Sequence, residues 1–381
     1  MTFDSVKNQK FSIDKSSQLA NELYHLLAKE FCKAKPSINR NDLTTSLAKQ
    51  EISLIRGLWE TFTTERGDIP RYLMDPNRQT AAYILGFHLP NMMRNLNVWK
   101  RLGERKALEA HRQEPVHLID VGCGSGALTH ASILALKNLG FQESNLSMEG
   151  YDKSGRFLDA YRFGNQHLAP NSATRSVKLD INKFDPRKVS LEGPGVKILL
   201  LGYVWNEIGD NPRLRRKIEQ LCVQTLSEKK GLVMILEPAN QQPARALMEF
   251  RNQLIQMGDV AYPCNHSNPC PMLNRSRDWC YSEFRWTPPK AIQYIDRVIG
   301  IDRKRLNTGA LVIGSKGFLK PNTQKNQPVV VGRPVAKSEA KNRTPHSKFH
   351  HLLCSEDGLT KTPDNQKNAV LRGCFFDRDR G

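Results

Sequence analysis

"PVHLIDVGCGSG", residues 115–126, is the stretch on which the reading of the chain turns. An apolar run ends at Asp120 and passes into three glycines at alternate positions, Gly122, Gly124 and Gly126. "ALTHASILALKNLG" follows with the apolar spacing of a helix. Glycines between a strand and a helix permit positive φ and let a ligand approach the backbone closely. A dinucleotide loop would be spaced G-x-G-x-x-G, seating a pyrophosphate on the helix N-terminus. The spacing here is G-x-G-x-G, so a different ligand is expected.

Downstream, "LSMEGYDKS" reads as a second strand ending near Asp152, and "GRFLDAYRFGNQHL" as a second helix. "RSVKLDIN", "VKILLLGYVWNEIG" and "KGLVMILEPA" supply three more short apolar runs, with the helical "RLRRKIEQLCVQTLSE" between the last two. "GALVIGSKG" completes the set as a late strand. Strands alternating with helices at this spacing predict an α/β fold with a doubly wound, mostly parallel sheet. Upstream, "SQLANELYHLLAKEFC" and "LAKQEISLIRGLWETF" are amphipathic, and "PRYLMDPNRQTAAYILGFHLPNMMRNLNVWKRL" reads as two helices broken near Pro90. The expected organisation is an N-terminal helical region, 1–112, and a sheet domain, 113–318, containing a cysteine-rich loop at 259–288. A basic C-terminal extension with short strands, 319–381, completes it; "HHLLCSEDGL" and "AVLRGCFFDRDRG" are its candidate strands.

The glycine loop resembles motif I of the S-adenosylmethionine-dependent methyltransferases, which implies a Rossmann-like class I sheet. On that resemblance Gly122, Gly124 and Gly126 wrap the amino-acid end of the cofactor, and Asp120 suits its ammonium group directly or through water. Asp152 is placed to accept the ribose hydroxyls, and Asp180, after the third strand, falls near the adenine. The Asn/Asp-Pro-Pro-aromatic signature of amino-methylating enzymes is absent: the position reads "GYVWNEIGD". Asn206 and Glu207 serve equally as polar contacts or as caps, so no catalytic residue is named.

The formal charge is +19 and the pI about 9.6, which favours a polyanionic partner, nucleic acid above all. Residues 286–381 hold 18 Lys and Arg against 8 Asp and Glu, over half of the surplus. No run approaches the length of a membrane span. The first residues carry Asp4 and Asp14 and no apolar run of signal-peptide length, so a bacterial cytoplasm is the expectation. In a reducing compartment clustered cysteines mean metal more often than disulfide. "PCNHSNPCPMLNRSRDWC", residues 263–280, sets Cys264, Cys270 and Cys280 at C-x5-C-x9-C, which is no standard zinc or ferredoxin spacing. Cys354 and Cys374 remain as candidates for a fourth ligand. Cys32, Cys123 and Cys222 read as packing.

"YPCNHSNPCPM" followed by "DWC" resembles the Pro-Cys-Pro-His…Pro-Cys-Pro…Trp-Cys stretch of the methyltransferase-like small-ribosomal-subunit assembly family, found in bacteria and mitochondria. "PRYLMDPNRQTAAYIL", "ILEPANQQPARALMEFRNQL", "ALVIGSKG" and "HHLLCSEDGL" agree with it, over roughly residues 70–381. Asn265 stands where that family has proline, and the spacing before Cys280 is wider. The resemblance implies the small ribosomal subunit and its rRNA as partners, and a [4Fe–4S] cluster on Cys264, Cys270, Cys280 and Cys354, with zinc as the alternative metal. Two functions are then expected: methylation of ribosomal RNA, or assembly of the small subunit by a protein that keeps cofactor and rRNA binding alone. A small-molecule methyltransferase is the third reading. Oligomeric state is not legible.

Overall fold

A computed structural model describes residues 12–35, 42–63, 76–209, 211–319, 327–331, 335–336, 349–350, 352–361 and 372–374. Five helices come first: α1 (Ile13–Phe31), α2 (Leu43–Gln50), α3 (Ile52–Thr63), α4 (Pro76–Tyr83) and α5 (Leu89–Glu104). A sheet domain follows, with strands β1 (Val116–Val121), β2 (Leu146–Asp152), β3 (Ala173–Lys178), β4 (Val196–Gly202), β5 (Gly231–Glu237), β6 (Gly258–Tyr262), β7 (Ser282–Arg285) and β8 (Arg305–Ser315). Its helices are α6 (Ala127–Asn138), α7 (Gly155–Leu168), α8 (Val204–Glu207), α9 (Pro212–Ser227), α10 (Gln241–Leu254) and α11 (Lys290–Ile299). Short strands close the described chain: β9 (Val329–Val330), β10 (Val335–Ala336), β11 (Phe349–His350), β12 (Leu352–Ser355) and β13 (Gly358–Lys361).

The main sheet runs β3-β2-β1-β4-β5-β8-β6, with β7 also paired to β8. Strands β1 to β5 are parallel, while β8 lies antiparallel to β5 and β6. Central strands are buried on both faces, which is why β1, β4 and β5 read as unbroken apolar runs. The strand order reverses at β1 and β4, so a crevice opens beyond their carboxyl ends.

One sheet face is covered by α5, α6 and α7 and, outside them, by α1 to α4; a single apolar core joins them all. Helix α1 begins at Ser12, whose hydroxyl accepts the Lys15 amide, and buries Leu23, Leu27 and Phe31 at four-residue steps. Each fully buried large apolar side chain of this kind contributes about 1.5–3 kcal/mol. Helix α6 is sandwiched between sheet and outer helices, so its polar residues need internal partners. The Ser132 hydroxyl accepts from Trp99 Nε1 at 2.9 Å and from Asn95 Nδ2 at 3.2 Å. The opposite face packs α8, α9 and α10, with Cys222 fully buried on α9. Cys32 caps α1 and is buried too. Among the described residues no helix is long and apolar enough to cross a membrane.

The expected break near Pro90 does not occur. A π-helical turn, Ile84–His88, carries the chain from α4 into α5, and Pro90 sits in the first turn of α5. Proline has no N–H to give inside this continuous helical run, and the upstream carbonyls are taken by side chains instead: Tyr24 Oη donates to Leu85 at 2.9 Å and Arg303 to Gly86. Strands β6 and β7 were not anticipated. Of the two C-terminal strands expected, "HHLLCSEDGL" forms β12 and the turn into β13. "AVLRGCFFDRDRG" lies mostly outside the described residues, and its described part, Arg372–Cys374, is a turn rather than a strand. That turn is laced into the fold: Glu283 donates its amide to the Arg372 carbonyl, Gly373 to Val330, and Val330 to Cys374.

Gly164, inside α7, tests the packing. A methyl group there would stand 2.2 Å from His130 Cε1. In an open helix alanine would gain about 1 kcal/mol over glycine; here overpacking costs about 1–3 kcal/mol. Gly164→Ala is therefore expected to lower the denaturation midpoint, and a midpoint raised above the wild type would refute the tight His130 contact.

Candidate functional site: a crevice behind the glycine loop and a cysteine loop beside it

The glycine loop departs from β1 with positive φ at Gly122 (74°), Gly124 (51°) and Gly126 (90°). The amides of Gly122 and Cys123 both donate to the Tyr151 carbonyl, at 2.8 and 3.0 Å. A side chain at Gly122 would strike Val204 and one at Gly126 would strike His130, whereas the space at Gly124 is open. Two of the glycines therefore serve packing and Gly124 presents bare backbone. Behind the loop His88 Nδ1 lies 2.7 Å from Ser125 Oγ, and His130 Nε2 3.1 Å from the Tyr161 carbonyl. Burial lowers both imidazoles, His130 to about 4, so they pack as neutral rings. Cys123 is buried in the loop.

Asp152, at the end of β2, ties the loop down. Its Oδ2 accepts the Gly124 amide at 2.9 Å and its Oδ1 the Ser154 amide at 2.8 Å. Burial raises this carboxyl, and those amides hold the rise in check. Asp120 lies one layer beneath the loop. It is 1% exposed and accepts a 2.7 Å hydrogen bond from Thr129 on α6, joining strand to helix beneath the loop. Asp180 caps a short turn by accepting the Asn182 amide at 2.9 Å, a bond that lowers its carboxyl below the usual range.

Gly122, Gly124 and Asp152 line a cavity of about 530 Å³, within the size range of small-molecule sites. Neither Asp120 nor Asp180 is in its lining. Its far wall comes from residues the sequence did not mark as site residues: Tyr83 at the end of α4, Phe87 on the π-helical turn, Asn91 and Arg94 on α5, and Tyr203 after β4. Tyr203 holds φ at 65°, a strained setting for a bulky residue, and donates to Asn91 Oδ1 at 2.9 Å. Glu207 opens onto the cavity yet is ringed by protein; desolvation, then the like charge of Asp152, pushes its carboxyl up to about 7. Glu237, fully buried, accepts the Trp205 and Asn206 amides and so fixes the turn that carries Glu207.

The cysteine loop follows β6. Arginines satisfy its irregular backbone: Arg105 donates to the carbonyls of Ala261, Pro263 and Cys264, Arg251 to His266 and Asn268, and Arg245 to Leu273, Arg275 and Asp278. Cys270, Cys280 and Cys354 share a small apolar cluster with Met248, Met272 and Val329. Burial pushes all three thiols up, and the proximity of Cys264 pushes each further. His266 Nε2 lies 3.4 Å from Cys354 Sγ. Cys374 stands elsewhere, with Arg101 on α5 donating to its sulfur at 2.8 Å. Among the described residues no group of three or more His, Cys, Asp or Glu side chains is arranged to hold a metal ion. Cys270, Cys280 and Cys354 are soft sulfur donors in one mostly apolar cluster, and Cys264 is near enough to act on each of them.

Sheet order, antiparallel β8 and the glycine loop at the reversal point define a Rossmann-like class I methyltransferase fold. The chain belongs to the mitochondrial small ribosomal subunit Rsm22 family, whose model matches residues 89–295. Among curated proteins none matches it. An rRNA methylase from Streptococcus thermophilus is similar at 11% identity, over 56% of this chain and 94% of that one, with a TM-score of 0.30. An O-methyltransferase family protein from Burkholderia thailandensis is 14% identical over 79% of this chain and 85% of that one, with a TM-score of 0.37. Magnesium protoporphyrin IX methyltransferase from Synechocystis PCC 6803, solved with bound S-adenosylmethionine, is 13% identical over 55% and 87%, with a TM-score of 0.30.

Burial raises the Asp120 carboxyl to about 7, against an ordinary value near 4. The folded chain thus keeps a proton that the unfolded chain releases between about pH 4 and pH 7, and stability falls as pH rises through that window. Asp120→Asn keeps an acceptor for Thr129 and removes the titration. Its thermal midpoint should gain on the wild type from pH 4 to pH 8, by several degrees at the upper end. A constant difference across the range would show that Asp120 ionises normally in the fold.

Proposed function

We propose that this chain binds S-adenosylmethionine in the crevice at the ends of β1, β2 and β4 and acts on the small ribosomal subunit, by methylating its rRNA or by assisting its assembly. The observation that carries the reading is the cavity floor: open backbone at Gly124, pinned by Asp152, where the strand order reverses. Asp152, a carboxylate whose ionisation burial opposes, and Glu207, an exposed carboxylate on the cavity lining, suit a cofactor bearing sulfonium and ammonium charges. Gly122 and Gly124 would lie against its amino-acid end and Asp152 against its ribose; Asp120, Gly126 and Asp180 would act by shaping the loop and the strand ends. When bound, the cofactor supplies an electrophilic methyl group. Glu207 is placed to take a proton at its carboxylate, and Tyr203, Asn91 and Arg94 to orient a substrate.

The assembly reading is favoured by the segment after β4, where "GYVWNEIGD" offers no Pro-Pro-aromatic clamp. Small-subunit and rRNA partnership is supported by the family description and by the chain's charge. The compartment in this reading is one that houses ribosomes, a bacterial cytoplasm on the sequence reading, while the family description is mitochondrial. Transfer of labelled methyl from S-adenosylmethionine to immature small subunits lacking this protein tests the choice. Label in the RNA, abolished by Gly124→Val, makes the chain an enzyme. No label, with cofactor and subunit binding intact, leaves an assembly factor.

We also propose that Cys264, Cys270, Cys280 and Cys354 hold a [4Fe–4S] cluster, with zinc as the alternative metal. Bound there, the metal would join the loop after β6 to β12 and hold the basic C-terminal part in place. Anaerobic purification should yield iron and sulfide in equal amounts, lost in Cys354→Ser and retained in Cys374→Ser. One zinc per chain without iron would replace the cluster by zinc, and retention of metal in Cys354→Ser would remove Cys354 from the set.

A further inference from the structure

The cavity is longer than its glycine-loop end. Away from Gly122, Gly124 and Asp152 its lining turns aromatic and cationic, with Trp59, Phe62 and Phe87 from the outer helices, Trp279 and Tyr281 from the segment before β7, and Arg305 from β8. Trp59, Phe87 and Tyr83 form a stepped stack, with centroids 6.2 and 5.4 Å apart and planes within 20° and 21°. In the wall beside them the Asn307 side-chain carbonyl is buried without a hydrogen-bond partner. At the mouth, Arg305 also lines a neighbouring groove of about 370 Å³ shared with Arg285, Trp286 and Lys304. Arg285 and Arg305 lie directly opposite each other across β7 and β8, both exposed. Neither forms a salt bridge with a described residue. Like charges facing each other across a strand pair destabilise the sheet unless an anion lies between them.

We propose that this aromatic end is a nucleotide subsite: it accepts one unpaired base of an RNA strand, whose backbone phosphates lie against Arg285 and Arg305. The inference rests on the cofactor reading for what lies at the other end of the cavity. A base supplies the planar face that aromatic rings take up and polar edges for the amides of Asn307 and Asn240. A phosphate supplies the anion that the facing guanidiniums lack. A duplex offers no free base, so single strands, loops or bulges are the expected ligand. Arg303 is held in this wall by Asp296 at 2.6 Å and by the Gly86 carbonyl, with its guanidinium carbon 5.9 Å from the Trp59 ring centre and its Nη2 buried without a hydrogen-bond partner.

The test uses the full chain, a fluorescein-labelled single-stranded RNA dodecamer of mixed sequence, the same RNA annealed as a duplex, and S-adenosylhomocysteine as a separate ligand. The single strand should bind more tightly than the duplex and quench tryptophan fluorescence. R285Q/R305Q should lower single-strand affinity about tenfold and reduce the slope of log affinity against log salt by about 1.4, two phosphates at about 0.7 each. S-adenosylhomocysteine affinity should be unchanged in that variant. Trp59→Leu should lose part of the quenching and of the affinity, and Trp59→Phe should restore the affinity. Unchanged affinity and slope in the double variant, or a duplex bound as tightly and with equal quenching, would overturn the subsite. If the wild type fails to bind S-adenosylhomocysteine while the RNA pattern holds, the cofactor reading falls and the nucleotide subsite stands. If it binds S-adenosylhomocysteine and the RNA pattern is missing, the subsite alone falls.

Discussion

Two amides meeting one carboxylate hold the ligand end of this fold in shape. Asp152 takes the Gly124 amide with one oxygen and the Ser154 amide with the other, so the loop after β1 and the start of α7 share an anchor. Hydrogen bonds to a charged group contribute about 1.5–3 kcal/mol each, enough to offset much of the cost of burying that carboxylate. The anchor holds the glycines in positive φ, and with them the departure of α6 and the floor of the cavity. Asp120 acts one layer deeper, fastening β1 to α6 through Thr129.

The features legible in the sequence were local ones. Strands buried on both faces show themselves as apolar runs, and the glycine spacing lies within five residues. β6 and β7 were missed because "GDVAY" and "SEFR" are short and polar and are defined by their pairing to β8 alone. Asn91, Arg94 and Tyr203 were invisible as site residues for a related reason. α5 and the end of β4 are more than a hundred residues apart in the chain and meet only once the helices pack on the sheet. Asp120 and Asp180 illustrate the converse: an acidic residue at a strand end is easy to notice, but only the fold shows whether it faces a cavity or caps a turn.

The cysteine loop has no periodicity because no ladder organises it. Arg105, Arg245 and Arg251 provide the donors that strands or helices would otherwise supply, reaching in from α10 and from the end of α5. Spacing alone therefore could not rank Cys354 against Cys374. Pairing of β12 with β9 carries Cys354 to the loop's cluster, while Cys374 lies outside that cluster and takes a hydrogen bond from Arg101. The segment before β7 joins the two sites: Trp279 and Tyr281 line the cavity, and Trp279 packs with Cys280 against the cysteine cluster.

Arg372 gives that segment its last contact, with its guanidinium carbon 3.8 Å from the centre of the Tyr281 ring and donors to the Trp279 and Val331 carbonyls. A ribosome makes the chain from its N-terminus, so the helices, the glycine loop and all of β1 to β8 emerge before this clamp does. During synthesis the cavity thus has its floor long before its wall is fastened. Chains broken off ahead of Arg372 would keep every glycine and strand of the sheet domain and still present an unfinished pocket. The last fastening of the pocket wall therefore waits for Arg372, near the end of the chain.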